Sequence, residues 1–241
     1  MKKSKKIISI SLLSIVILTV GVFFAWANNS YKPTTEAVVA LESNESVKVI
    51  KDKYIIFEPQ NTEVEKGLIF YPGGKVEPES YATLCNKIAE EGYLVVIAPM
   101  TLDLAVLSPN EADGIIERFD NIKEWAIGGH SLGGVIAANY ASKHEEIKGV
   151  VLYASYPQGD IIKDLDIDVL SIYGSLDGVA DIEKIKNAEL PEHSKIIEIK
   201  GGNHGQFGSY GKQDGDNEAE ISNEEQINQA AQYTIELLKD M

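Results

Sequence analysis

From residue 67 onward, short uncharged runs stopped by Gly or Pro alternate with stretches whose apolar residues recur at helical spacing. Gly67–Tyr71 is closed by Pro72-Gly73-Gly74, Tyr81–Glu91 is helical in period and ends at Gly92, and Tyr93–Ala98 is apolar throughout and stops at Pro99. Pro109–Phe119 predicts a helix, Trp125–Gly128 a strand, Leu132–Lys143 a helix rich in small residues, and Ile147–Ala154 a strand. Val169–Tyr173 and Lys195–Ile199 predict two more strands with a helix over Asp181–Asn187 between them, and Ser222-Asn223-Glu224-Glu225 is a capping box that opens an amphipathic helix over Glu224–Leu238. A strand apolar on both faces must be covered on both, and a parallel neighbour is reached through a crossover helix. The expected fold class is therefore α/β, a mostly parallel central sheet with helices on both faces. Ahead of it, Val47–Phe57 alternates in part around Lys51-Asp52-Lys53, which predicts an antiparallel pair at the start of the domain.

Composition removes several classes. With 44% hydrophobic residues and no glycine period, the chain of 241 residues is neither disordered nor fibrous. A net charge of −15 argues against a nucleic-acid partner, because binding a polyphosphate rests on Lys and Arg. The single cysteine, Cys85, cannot form an internal disulfide or build a Cys-based zinc site, and is expected as a small buried hydrophobe.

Residues 1–27 differ from the rest: Lys2, Lys3, Lys5 and Lys6 precede an uncharged run from Ile7 to Ala27. That order of charge and apolar chain is an export signal. Ala25-Trp26-Ala27 has the form of a cleavage site, while an uncharged run of 21 residues also suffices to span the bilayer as an anchor; both fates remain open. The expectation is an extracytoplasmic domain, secreted or held at the membrane by this segment. Without the segment the net charge becomes −19, so the domain itself should be repelled by anionic lipid. Residues 28–46 are polar with no clear period and predict a tether; residues 47–241 are enough for one domain and short for two.

Gly129-His130-Ser131-Leu132-Gly133 fits G-x-S-x-G and lies between a predicted strand and a predicted helix, the setting of a nucleophile elbow. Such a turn lifts the Ser131 hydroxyl above the sheet edge and leaves the Leu132 amide free at the helix start, where it can face a developing oxyanion. A serine hydroxyl needs a base, and the base needs an orienting acid. Asp177 follows the strand Val169–Tyr173, and His204 follows the strand Lys195–Ile199. Parallel strands deliver their C-terminal ends to one edge of the sheet, so Ser131, Asp177 and His204 should converge there. Asp181 is an alternative acid. His144 and His193 fall at the opposite edge, and His130 cannot reach round its own turn to the Ser131 hydroxyl. Gln206, Phe207 and Tyr210 either line a substrate pocket or pack their loop. Asp214–Glu218 lacks the spacing and glycine of a calcium loop and is expected as a solvated acidic segment. No metal and no cofactor are expected.

These residues resemble the α/β-hydrolase family, and within it the compact, lidless branch similar to dienelactone hydrolases, known as fold-5 hydrolases. The resemblance runs from about Val47 to the C-terminus through the elbow, Gly174-x-x-Asp177, Gly201-Gly202-Asn203-His204 and Tyr210-Gly211. It implies an α/β-hydrolase fold without a lid domain, with Ser131 as nucleophile, His204 as base and Asp177 as acid. Dienelactone hydrolases carry a cysteine nucleophile, so Ser131 shifts the expectation to serine-esterase chemistry. Where the family's oxyanion loop has His-Gly, this chain has Pro72-Gly73-Gly74-Lys75, and the Gly74 amide is the expected second oxyanion donor, with Lys75 its rival. Only about 14 residues, Ser155–Asp168, separate two strands where a lid would be inserted, which predicts an open site. The functional expectation is a hydrolase of a small-molecule ester or similar acyl compound acting through an acyl-enzyme. A non-catalytic surface binding protein and an acyltransferase on the same residues are the alternatives. Substrate and oligomeric state have no motif to encode them.

Overall fold

A computed structural model of the chain describes residues 14–23, 26–27, 29–60 and 62–241. Eight strands form one sheet: β1 (Val47–Lys51), β2 (Ile55–Pro59), β3 (Lys66–Tyr71), β4 (Leu94–Ile97), β5 (Glu124–His130), β6 (Ile147–Tyr153), β7 (Asp168–Gly174) and β8 (Lys195–Ile199). Their spatial order is β1-β2-β4-β3-β5-β6-β7-β8. The β1–β2 and β2–β4 pairs are antiparallel and every later pair is parallel, as the hairpin at the start and the helical crossovers after it require.

Alternation along the central strands sends side chains to two separate cores. Leu68, Phe70, Val95, Ile97, Val151, Tyr153, Leu170 and Ile172 face one side, where α2 (Ala82–Glu90) and the long C-terminal α6 (Asn223–Asp240) cover them. Ile69, Tyr71, Val96, Ile127, Val150, Leu152 and Val169 face the other, under α3 (Glu111–Arg118) and α4 (Leu132–Ala141). Each such side chain contributes about 1.5–3 kcal/mol by leaving water, so the two faces together dictate the three-layer arrangement. The serine half of the expected capping box is present: the Ser222 hydroxyl accepts the Glu225 N–H at 3.1 Å and starts α6.

Two features differ from the sequence reading. Strand β5 continues two residues beyond Gly128, because Gly129 and His130 still pair with Leu152 and Tyr153 of β6. Ser131 therefore stands immediately at the strand end. The second concerns the expected tether, whose described part, residues 29–46, packs on the domain. Tyr31 donates its N–H to the Lys75 carbonyl at 2.8 Å and accepts the Glu77 N–H at 2.9 Å. The short helix α1 (Thr35–Val39) buries Ala37, and the Asn86 side chain reaches the Ala40 carbonyl at 2.8 Å. Backbone hydrogen bonds and a few apolar contacts dock this stretch, which is why it has no hydrophobic period. The expected export segment lies in large part outside the described residues; of it, 14–23 and 26–27 are helical. Among the described residues no helix is long and apolar enough to cross a membrane.

Candidate active site

Ser131 has φ 52° and ψ −121°, a sparsely populated conformation for a residue with a side chain. Such strain costs on the order of 1–3 kcal/mol and persists only where the surroundings over-determine it. Here the end of β6 and the loop after it supply the constraint: the Ser131 N–H donates to the Tyr153 carbonyl at 2.9 Å, and the Ser155 hydroxyl donates to the Ser131 carbonyl at 2.7 Å. The glycines around the turn are needed for room. A Cβ on Gly133 would lie 2.1 Å from the Tyr71 carbonyl oxygen, and one on Gly129 would lie 2.5 Å from the backbone of Gly133. Sheet and helix thus approach closely enough to turn the chain in one residue. Among the described residues nothing hydrogen-bonds the Ser131 hydroxyl.

Asp177 and His204, 27 residues apart on the loops after β7 and β8, meet at this same edge. Asp177 Oδ2 lies 2.8 Å from His204 Nδ1, and both side chains are fully buried. The other oxygen, Oδ1, accepts the N–H groups of Val179 at 2.8 Å and Ala180 at 2.7 Å. A carboxylate held from both sides fixes the imidazole with its proton on Nδ1. Nε2 is then a bare acceptor, and it is buried with no hydrogen-bond partner, Ser131 included. The ring of His204 lies against that of His130, the residue preceding Ser131, with centroids 4.5 Å apart. The rival acid Asp181 is elsewhere: it caps helix α5 (Ile182–Lys186) by accepting the Lys184 N–H, and it is exposed. His144 stacks on Tyr140 at the far end of α4, and His193 lines a surface cavity with Glu124 and Lys148 at the opposite edge of the sheet.

The loop after β3 presents three amides. Gly73 donates to the Tyr81 hydroxyl at 3.0 Å, and Lys75 donates to the Asp103 carbonyl at 2.8 Å. Gly74 is left without an acceptor among the described residues and abuts Leu132, whose side chain a Gly74 Cβ would approach to 3.2 Å. The Leu132 amide, at the first position of α4, likewise has no intrahelical partner. Lys75 instead directs its ammonium over the Trp26 ring, 4.6 Å from the centroid.

The residues expected to line a pocket are placed differently. Phe207 is completely buried, packed between Tyr153 and His130 in the core. Tyr210 is 6% exposed, sandwiched near Tyr31 and Tyr81, with its hydroxyl donated to Gln213 at 2.8 Å. Both are packing rather than pocket lining: Phe207 is taken up by the core, and Tyr210 is covered by Tyr31 of the docked stretch. Gln206 does border a cavity of about 620 Å³, with Asn203, Asn223 and Lys87, but Ser131, Asp177 and His204 do not line it.

Two residues that hold the loops of this candidate site carry no signal that the sequence alone exposes. Asp216, expected in a solvated acidic loop, turns inward: Oδ1 accepts the Gly178 N–H at 2.9 Å and the His204 N–H at 3.3 Å, and Oδ2 accepts the Gly205 N–H at 2.8 Å. One carboxylate thereby joins the loop of Asp177 to the loop of His204. His130 is the other: its nitrogens face the Tyr81 hydroxyl at 2.9 Å and the His204 carbonyl at 3.1 Å. Burial pushes the His130 pKa well below the usual imidazole range, with the neighbouring His204 acting in the same direction.

Compared with known proteins, residues 67–228 match the model of the alpha/beta hydrolase family. No curated protein matches the sequence. Among solved structures, Est1E from Butyrivibrio proteoclasticus with ferulic acid bound superimposes with a TM-score of 0.61 at 13% identity, over 82% of this chain and 98% of that one. A predicted CIB-like hydrolase from Thermoplasma acidophilum gives 0.55 at 14% identity, over 79% and 98%. At such identities the likeness shows the fold.

Proposed function

The chain belongs to the alpha/beta hydrolase family, and on that footing we propose that it is a serine hydrolase that cleaves an ester or related acyl bond of a small molecule. One observation carries the reading. A buried imidazole is tied through Nδ1 to a buried carboxylate and keeps Nε2 unpartnered, beside a strained serine at the same sheet edge. A buried acceptor without a partner costs about 1–3 kcal/mol, and a base awaiting the proton of a nucleophile explains that cost.

In the proposed reaction Ser131 Oγ attacks the acyl carbon while its proton passes to His204 Nε2. The imidazolium that forms is stabilised by Asp177. The carbonyl oxygen becomes an oxyanion and is held by the free amides of Leu132 and Gly74. Lys75, whose amide is committed to Asp103, is the weaker candidate for that place. The C–O bond to the leaving group breaks as His204 returns the proton to the departing oxygen, leaving an acyl-serine. Water, deprotonated by His204, repeats the sequence and releases the acid and the free serine. The proposed reaction requires the Ser131 hydroxyl and His204 Nε2, which are not hydrogen-bonded here, to come within reach when substrate binds, as catalytic hydrogen bonds often tighten only in the substrate complex. The bound ferulic acid of the B. proteoclasticus relative supports a carboxylic acid as the acyl group.

We also infer that the domain works outside the cytoplasm, exported by residues 1–27, on the strength of their four lysines and uncharged run. Fractionation of cells carrying the tagged chain tests this, and recovery of all protein in the cytoplasm overturns it. For the chemistry, a fluorophosphonate should label Ser131 stoichiometrically and leave Ser131→Ala unlabelled. p-Nitrophenyl esters of graded acyl length should turn over. Absence of both labelling and turnover sinks the hydrolase reading in favour of a binding protein.

A further inference from the structure

Behind the catalytic edge lies a hydrogen-bonded chain that the proposed reaction does not use: Gly73 N–H to Tyr81 Oη at 3.0 Å, Tyr81 Oη to His130 Nδ1 at 2.9 Å, and His130 Nε2 to the His204 carbonyl at 3.1 Å. Tyr81 and His130 are both essentially fully buried. Its proton order follows from what each end is able to do. A backbone carbonyl only accepts, so His130 Nε2 carries the hydrogen. Nδ1 of the neutral ring is then an acceptor and takes the Tyr81 hydroxyl proton, while a lone pair of the same oxygen receives the Gly73 N–H. Every donor has one acceptor, and no other arrangement satisfies all of them.

The two ends of this chain belong to the two loops the reaction needs to hold in register. Gly73 precedes Gly74, the proposed oxyanion donor, and the His204 carbonyl belongs to the proposed base. The fit is tight, since a Cβ on Gly73 would lie 2.7 Å from both His130 Nδ1 and the Tyr81 oxygen. Resting on the serine-hydrolase reading, we propose that Tyr81 and His130 are positioning residues: a neutral, proton-ordered brace that sets the distance between the oxyanion loop and the catalytic imidazole.

The brace works only while His130 is neutral. A proton on Nδ1 would face the Tyr81 oxygen, leaving the phenol hydrogen without an acceptor inside the core. It would also put a cation against His204, whose ring is 4.5 Å away and must itself become cationic in the reaction. The titratable groups packed around His130 are Tyr81, Tyr210 and His204, with Asp177 beyond His204, and Cys85 and Asp103 beyond Tyr81. Of the carboxylates near this group, Asp177 is already engaged by His204 and two amides, and Asp216 by the amides of Gly178, His204 and Gly205.

Tyr81→Phe keeps the ring and removes the hydroxyl, freeing Nδ1 to take a proton. Against a p-nitrophenyl ester its kcat should fall about 10- to 100-fold with KM changed less than about twofold, as loss of registry rather than of binding requires. The acid limb of its kcat/KM profile should gain a second ionisation, and that ionisation should vanish in the double variant Tyr81→Phe/His130→Gln. The second measurement needs no catalysis: ¹⁵N imidazole spectra of the wild-type chain should show His130 as the neutral Nε2–H tautomer. A bare Nε2 or a cationic ring in those spectra overturns the brace. So does a Tyr81→Phe enzyme with wild-type kcat and a single ionisation on its acid limb. If wild-type protein neither turns over esters nor reacts with a fluorophosphonate, the hydrolase reading fails, and with it the positioning role. The spectra then decide the proton order alone.

Discussion

Asp177 and His204 are joined Oδ2 to Nδ1 at 2.8 Å, and the second carboxylate oxygen is committed to the amides of Val179 and Ala180. The acid is thus oriented by its own loop before it orients the imidazole. Asp177→Asn would present an NH₂ or an amide oxygen in competition for those contacts and favour the tautomer with the proton on Nε2, which cannot accept from Ser131. We expect kcat to fall about 10⁴-fold, the loss known for the equivalent change in a serine protease triad. Steady-state kinetics on a folded variant, checked by circular dichroism, measures it, and a loss below about tenfold would remove Asp177 from the mechanism.

Asp216 is the rivet between the two loops. Asp216→Ala leaves the Gly178, His204 and Gly205 amides without their acceptor. Water reaches this half-buried position, so the stability cost should stay near about 1–3 kcal/mol, read from urea midpoints at unchanged m. Activity should fall by more than that loss of folded protein explains, because both loops lose their common anchor.

Space and strain at glycine are separable here. Gly133→Ala would force a Cβ to 2.1 Å from the Tyr71 oxygen, backbone against backbone, and should cost about 3 kcal/mol or more or abolish folding. Gly159→Ala, at φ 67° with open space around it, should cost only about 1–2 kcal/mol for its left-handed backbone. Thermal melts of the pair give the comparison, and equal shifts would contradict the close approach at the elbow.

Stability should fall on the acid side through His130. Its folded pKa lies well below that of the unfolded chain, about 6.5, so the unfolded state binds more protons as pH drops through that value. The stability it contributes is present above about pH 6.5 and is lost progressively below it. His130→Gln should therefore show a shallower decline of unfolding free energy between pH 6.5 and the acid limit, measured by urea titration at several pH values. Parallel curves for the two proteins would exclude His130 as the source.

The class of fold, the sharp turn at Ser131 and the meeting of Asp177 with His204 at one sheet edge could all be read from the amino acids, since each depends on neighbours in the chain. Period decided strand against helix, Gly129 and Gly133 marked the sharp turn, and parallel strands carry whatever follows them to one edge. Local pattern ended there. Nothing in Asp214–Glu218 indicates that Asp216 alone turns inward to Gly178, 38 residues away, or that Tyr81 meets His130 across 49 residues. Nor does it foretell that Phe207 is core, or that residues 29–46 are docked through backbone hydrogen bonds to Lys75, Glu77 and Ser209. Those contacts join polar groups and backbone atoms distant in sequence, whose pairing leaves no periodicity. They exist only once the sheet has brought the loops together, and it is there that the positions of the proposed oxyanion donor and base were decided.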